Sequence, residues 1–193
     1  DRIDWEKRIL YENEFCAVAE KPGGVPSHPT VDNLHDNIVS RVQGIRPDSR
    51  ISAANRLDVQ TTGIIVLCKC PTFMKVFGQL QKSGLVKKCY AALIRSRECV
   101  PKDGILTHYM MPSPRAPKIY RTEPENDNWF ESRLKIVSVV EVELNEFAIG
   151  QCDELEIKNL MREVLNSNEK VYQVEVELMT GRTHQIRAQF GFE

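Results

Sequence analysis

The chain has 193 residues, a formal net charge of −1, 41 % hydrophobic and 27 % charged residues, an ordinary globular composition for one domain or one domain with an elaboration. No apolar run approaches the roughly 18–20 residues that a bilayer span needs, and no signal-peptide pattern opens the chain. A first residue of Asp1 rather than Met reads as a trimmed or processed product.

The small net charge hides a split. From 41 to 97 there are eleven Lys/Arg against Asp48 and Asp58, a net of +9. From 123 to 177 fourteen acids oppose five bases, a net of −9. A basic field attracts phosphates, so the first half is the expected contact for a polyanion.

Taken in order, residues 1–13 carry a short amphipathic pattern in Ile3, Trp5, Ile9 and Leu10. Residues 15–19 are small and apolar and predict a strand. Lys21-Pro22-Gly23-Gly24-Val25-Pro26 is a loop whose Pro and paired Gly suit close approach to a ligand. A helix capped by Asp32 or Asn33 is predicted through Val42, with Leu34, Ile38 and Val42 on one face and Gly44 and Pro47 at its end.

Residues 51–54 predict a strand leading into 55–69, the stretch on which the reading turns. Arg56 and Asp58 stand two residues apart. A polar turn follows, Gln60-Thr61-Thr62-Gly63, and then a β-branched run, 64–67, that reads as a buried strand. Asp58 therefore sits on a turn at the mouth of a strand. Taken alone, it caps the turn or pairs with Arg56.

Pro71 starts a helix with Phe73, Val76, Phe77 and Leu80 at helical spacing, closed by Ser83-Gly84. Strands are predicted over 86–94, holding Tyr90, and over 104–111. Three prolines make 112–117 irregular, 118–122 resume extended structure, and 125–128 turn. Residues 132–143 and 171–179 read as strands, with an acidic amphipathic helix over 153–165 between them. Arg187 is expected on a strand beyond Thr180-Gly181.

The six cysteines, at 16, 68, 70, 89, 99 and 152, make no Cys-x-x-Cys pair. Cys68 and Cys70 are expected to point to opposite faces of a strand, and all six are read as reduced thiols of an intracellular protein. The four His residues, 28, 35, 108 and 184, show no ligand spacing with them, so no metal is expected.

Four segments together carry a resemblance: Glu20 to Pro29 with its Lys-Pro-Gly-Gly, Asn55-Arg56-Leu57-Asp58 through Lys69, Lys88-Cys89-Tyr90-Ala91-Ala92, and Thr180-Gly181-Arg182-Thr183-His184-Gln185-Ile186-Arg187. In type and order they resemble the motifs of the RluA-type pseudouridine synthases. Asn55 stands where that family usually has His, Thr62 where it has Ser, and Ala188-Gln189-Phe190 replaces a Val-His-Leu-type continuation. The 145–170 connection is longer than the family's and looks like an acidic helical insertion. The family's usual Gly-Asp-x-x-Tyr-Gly continuation does not follow, so the catalytic domain, taken as one unit over 1–193, is expected to be incomplete at its C-terminus.

The resemblance implies an α+β fold: a largely antiparallel mixed sheet, flanking helices and a central basic cleft. It implies conversion of uridine to pseudouridine in tRNA or rRNA, with no cofactor and no metal, by a monomer in the cytoplasm or an organelle. Asp58 would supply the carboxylate, Arg182 would keep it ionised, and Tyr90 would lie against the uracil. Arg56 would fill the gap left by a flipped base, and Lys21, Lys69 and Arg187 would contact RNA. His184 is read as a structural hydrogen-bonding residue. Two other readings stay open: an inactive relative that binds RNA as an adaptor, and an unrelated hydrolase using a second carboxylate.

Overall fold

The computed structural model describes residues 3–31, 33–96, 102–113, 118–143, 145, 155–167 and 169–191. The chain divides into two compact units, Asp1–Val86 and Lys87–Glu193. The α+β class is as expected, but among the described residues the strands form two wholly antiparallel sheets rather than one mixed sheet.

The first unit holds β1 (Ile9–Glu12), β2 (Cys16–Lys21), α1 (Ile38–Ile45), β3 (Ser52–Ala53), β4 (Gly63–Cys68) and α2 (Pro71–Lys82). Its sheet runs β1-β2-β4-β3. Alternation sends Ala17, Ala19, Ile65 and Leu67 to one face, where they pack with Ile38 and Val42 of α1 and with Val25 and Ile51. Ile38 and Val42, four apart, are the buried stripe of the helix.

That helix starts later than predicted. Asn33 spends its side chain on a turn, accepting from the Asp36 N–H at 2.7 Å, and Leu34 is left exposed. The cap is Asn37, whose Oδ1 accepts from the Ser40 N–H at 2.9 Å. α2 forms as the spacing predicts, with Pro71 in its first turn, but none of its residues is buried. Phe73 and Phe77 stack on each other with centroids 6.0 Å apart.

The basic segment is partly neutralised from outside itself. Arg46 is bonded to Glu6 and Glu12, Lys69 to Glu12, and Arg41 to Asp36. Glu12 is held below the usual carboxylate range, first by its hydrogen bond from Lys69, against burial, and then by Arg46. A carboxylate depressed on folding contributes stability above its unfolded value, about 4.5, which is lost as pH falls through the folded one. Glu12→Gln should therefore lower the melting temperature at pH 7, and the gap from wild type should close on acidification, as read by thermal scans across pH 3–7.

The second unit holds β5 (Lys88–Ser96), β6 (Gly104–Met110), β7 (Tyr120–Arg121), β8 (Phe130–Val142), α3 (Leu155–Leu165), β9 (Lys170–Leu178) and α4 (Gln185–Phe190). Its sheet runs β5-β9-β8-β6-β7. One face carries Leu134, Ile136, Tyr172, Val174 and Val176, against which Ile186 and Phe190 of α4 pack. The acidic helix expected over 153–165 is described from Leu155. Residues 114–117 of the proline-rich stretch, together with Cys99 and Cys152, lie outside the described residues.

Arg187 lies on helix α4, not on a strand. The helix is not written in apolar spacing, because its buried pair four residues apart is Gln185 and Gln189. Gln185 Nε2 donates to Gln189 Oε1 at 2.8 Å and to the Arg133 carbonyl at 3.0 Å. Gln189 Nε2 in turn reaches the Leu106 and Ser132 carbonyls, both at 3.2 Å.

Cys68 and Cys70 do not point to opposite faces. Side chains alternate with period two, so residues two apart share a face. Cys70 keeps extended backbone as it enters α2.

Candidate active site and its comparisons

Asp58 sits on the expected turn, its carbonyl accepting from the Thr61 N–H at 3.1 Å, and its side chain is half-buried. The loop that carries it is fastened at three points. Asn55 Oδ1 accepts from the Val66 N–H at 2.7 Å, and its amide donates to the Ile64 carbonyl at 3.3 Å. Ser27 Oγ donates to the Leu57 carbonyl at 2.6 Å and accepts from the Leu57 N–H at 3.0 Å. Lys21 Nζ donates to Pro22, Val25 and Val59 carbonyls at 2.8, 2.7 and 2.9 Å. Gly63 has φ 124°, a conformation that side chains rarely adopt, at the point where the loop enters β4.

Asn55, the departure from the family's usual His, thus has a defined job in this chain: it bonds both a donor and an acceptor of β4. Asn55→Ala leaves both without a partner and should cost about 1–2 kcal/mol. Urea unfolding measures this, and no change in midpoint would mean that water replaces the amide.

Two of the expected RNA contacts, Lys21 and Lys69, are engaged within the chain. Lys21 is 0 % exposed, and its three donors are spent on carbonyls, so it meets no phosphate. Burial lowers its pKa and the Asp58 carboxylate opposes the shift. Lys69 Nζ is bonded to Glu12 at 2.7 Å and to the Asn13 carbonyl at 2.9 Å, so it fastens the β1–β2 turn. Arg56 is exposed, and among the described residues no ion pair holds its guanidinium. The expected alternative, a salt bridge to Asp58, is not made. His28 is kept below its ordinary pKa by burial and then by Arg56.

In the second unit, Tyr90 lies opposite Val176 and packs half-buried against the sheet's apolar cluster. Arg182 is held from several sides. Its N–H donates to Gln185 Oε1 at 3.0 Å, its Nε donates to the Glu131 carbonyl at 3.1 Å, and its guanidinium lies 5.1 Å from the Phe130 ring centroid. Tyr90 and Arg182 are anchored at different places on the sheet. Val176 is also paired with Ile136, and Glu131 lies five residues back along β8, about 17 Å at ordinary strand rise. His184 is the one described non-Gly residue with positive φ, 55°, and it turns the chain into α4. Arg187 is exposed on that helix.

Sequence reasoning missed Ser27, Phe130 and the structural use of Gln185. The last left one signal, the Thr-Gly-Arg-Thr-His-Gln order itself: Gln185 Oε1 accepts from both Thr180 Oγ1, at 2.9 Å, and the Arg182 N–H. Among the described residues no group of three His, Cys, Asp or Glu side chains is placed to hold a metal ion. No described helix is long and apolar enough to cross a membrane.

A sequence model of the RNA pseudouridylate synthase family matches residues 16–191. The chain belongs to that family. It is 28 % identical over 192 residues to the chloroplastic RNA pseudouridine synthase 6 of Oryza sativa subsp. japonica, covering 98 % of this chain and 38 % of that one. It is 27 % identical over 188 residues to the mitochondrial tRNA pseudouridine(32) synthase of Saccharomyces cerevisiae, covering 96 % and 34 %. The chain thus spans well under half the length of these relatives. A solved structure of human RNA pseudouridylate synthase domain containing 4 shares the fold, with a TM-score of 0.63 and 19 % identity over 97 % of this chain and 65 % of that one. Family membership sets aside the unrelated-hydrolase reading.

Proposed function

We propose that this chain is the catalytic part of an RNA pseudouridine synthase, isomerising uridine to pseudouridine in tRNA or rRNA with no cofactor. The observation that carries the reading is the Arg56-Leu57-Asp58 loop. A carboxylate and a guanidinium stand two residues apart on backbone tied down by Asn55, Ser27 and Lys21, in a chain of this family. Such fixation suits a group that must meet one atom of a nucleoside.

The reaction breaks the N1–C1′ bond, turns the base and re-forms the link through C5. We assign Asp58 the anionic oxygen, Arg182 a cationic role and Tyr90 the ring and hydroxyl that meet the uracil. Exposed Arg56 enters the stack that the uridine leaves, and Arg187 contacts the backbone. Residues 1–193 act as one catalytic domain, with the acidic helix as an addition to it. The relatives' names, one chloroplastic and one mitochondrial, favour an intracellular, organellar setting, and the enzyme works as a monomer.

Incubation of the wild-type chain with tRNA and rRNA transcripts, followed by pseudouridine mapping, tests the reading. Product at a defined uridine is expected. Tight RNA binding without product would instead favour the adaptor.

A further inference from the structure

β6 ends at Met110, opposite Phe130 at the start of β8. Where these strand ends meet the connection from β7 to β8 there is an open cavity of about 700 Å³, within the range of small-molecule sites. Met111, Pro112, Trp129 and Phe130 form its apolar wall, and Glu125 and Asp127 are its acids. The connection is fastened locally. Asn126 Oδ1 accepts from the Asn128 N–H at 3.1 Å, and the Asn126 carbonyl accepts from the Trp129 N–H at 3.3 Å. Across the cavity the Met111 N–H donates to the Ile119 carbonyl at 2.9 Å.

The two aromatic residues differ. Trp129 is buried, with the Arg121 guanidinium 5.7 Å from its ring centroid. Phe130 is 43 % exposed, and the Arg182 guanidinium lies 5.1 Å from its centroid. An exposed ring beside a guanidinium, at the wall of a cavity, offers a stacking platform to a base.

Charge narrows the choice of base. Glu125 is neutralised by its bond to Arg121. Asp127 makes no ion pair among the described residues. Its carboxylate repels phosphate and only accepts hydrogen bonds, so a base must bring donors to it. Uracil holds one ring N–H between two carbonyl oxygens. Cytosine and adenine set an amino group beside a ring nitrogen that accepts. Guanine alone presents two donors side by side, N1–H and the N2 amine, which match the two oxygens of a carboxylate.

We propose, resting on the reading of the chain as an RNA pseudouridine synthase, that this cavity binds a guanine base of the substrate RNA, stacked on Phe130 and paired through N1–H and the N2 amine with Asp127. The cavity thereby gives the enzyme a sequence preference that the Asp58 loop does not supply.

The test titrates the full chain against fluorescein-labelled uridine nonamers, each with one guanosine at a different position, and reads fluorescence anisotropy. Oligouridine is the reference for every protein. Guanosine at one or more positions is expected to tighten wild-type binding at least about fivefold, and inosine, which lacks the N2 amine, to lose most of that gain. Asp127→Asn exchanges an acceptor for a donor and should erase the preference. Phe130→Leu removes the platform and should cut the gain to about twofold or less. Equal affinity for all nonamers, no binding by any, an inosine series that matches guanosine, or a full gain kept in either variant would each overturn the proposal. The inosine series decides the matter in wild type alone, so a poorly folded variant leaves it testable. Pseudouridine mapping with the same wild-type protein separates the two readings. Product without a guanosine preference overturns the cavity's assignment and leaves the synthase standing; a preference without product upholds the cavity in an RNA-binding adaptor.

Discussion

Asp58→Asn is expected to reduce pseudouridine formation by at least about 10³-fold, the scale for losing a nucleophile or acid–base group. Three routes are open to a carboxylate here: attack at C1′, attack at C6, or removal of a sugar proton. Each needs an anionic oxygen, which the amide lacks. The fold has little reason to change. The Asp58 carbonyl that receives the Thr61 N–H is untouched, and Asn suits a turn as well as Asp does. One cost is electrostatic, since the Asp58 carboxylate opposes the lowering of the Lys21 pKa. A melting temperature within a few degrees of wild type, measured beside product mapping over time, would separate lost chemistry from lost structure. Turnover at the wild-type rate would remove Asp58 from the reaction.

What could be read ahead of the structure follows from the kind of signal each element leaves. β2, β4 and β9 are short apolar or alternating runs bounded by turn residues, and α2 opens on Pro71 with an apolar row, so period and punctuation revealed them. α4 is held by buried amides at 185 and 189, and polar residues carry no periodic apolar mark. The start of α1 depended on which of two Asn residues capped it, and Asn33 made a local turn instead. The Asp58 turn was legible from Gln60-Thr61-Thr62-Gly63. The burial of Lys21 was not, because an ammonium next to Pro-Gly reads the same whether it faces phosphate or carbonyl oxygen. The ion pair of Lys69 was hidden for a related reason: its partner Glu12 lies outside the basic segment.

Lys21→Met should destabilise the first unit by about 3 kcal/mol, at the low end for breaking a buried charged interaction. Methionine fits the aliphatic path but donates nothing, so the Pro22, Val25 and Val59 carbonyls lose a donor together. Unmet buried acceptors cost about 1–3 kcal/mol each; relief from burying an ammonium offsets part of the sum. For a chain of this size the melting temperature should fall by about 6–12 °C. The sign of the pH dependence distinguishes this from a plain packing defect. The folded pKa of Lys21 lies below its unfolded value. Between the two the unfolded chain holds the extra proton, so stability gains from this residue as pH rises toward about 10.5. The wild-type advantage over Lys21→Met should therefore widen with alkaline pH in paired thermal scans. A constant gap would mean that the ammonium keeps an ordinary pKa inside its cage of carbonyls, and that Asp58 balances its burial in full.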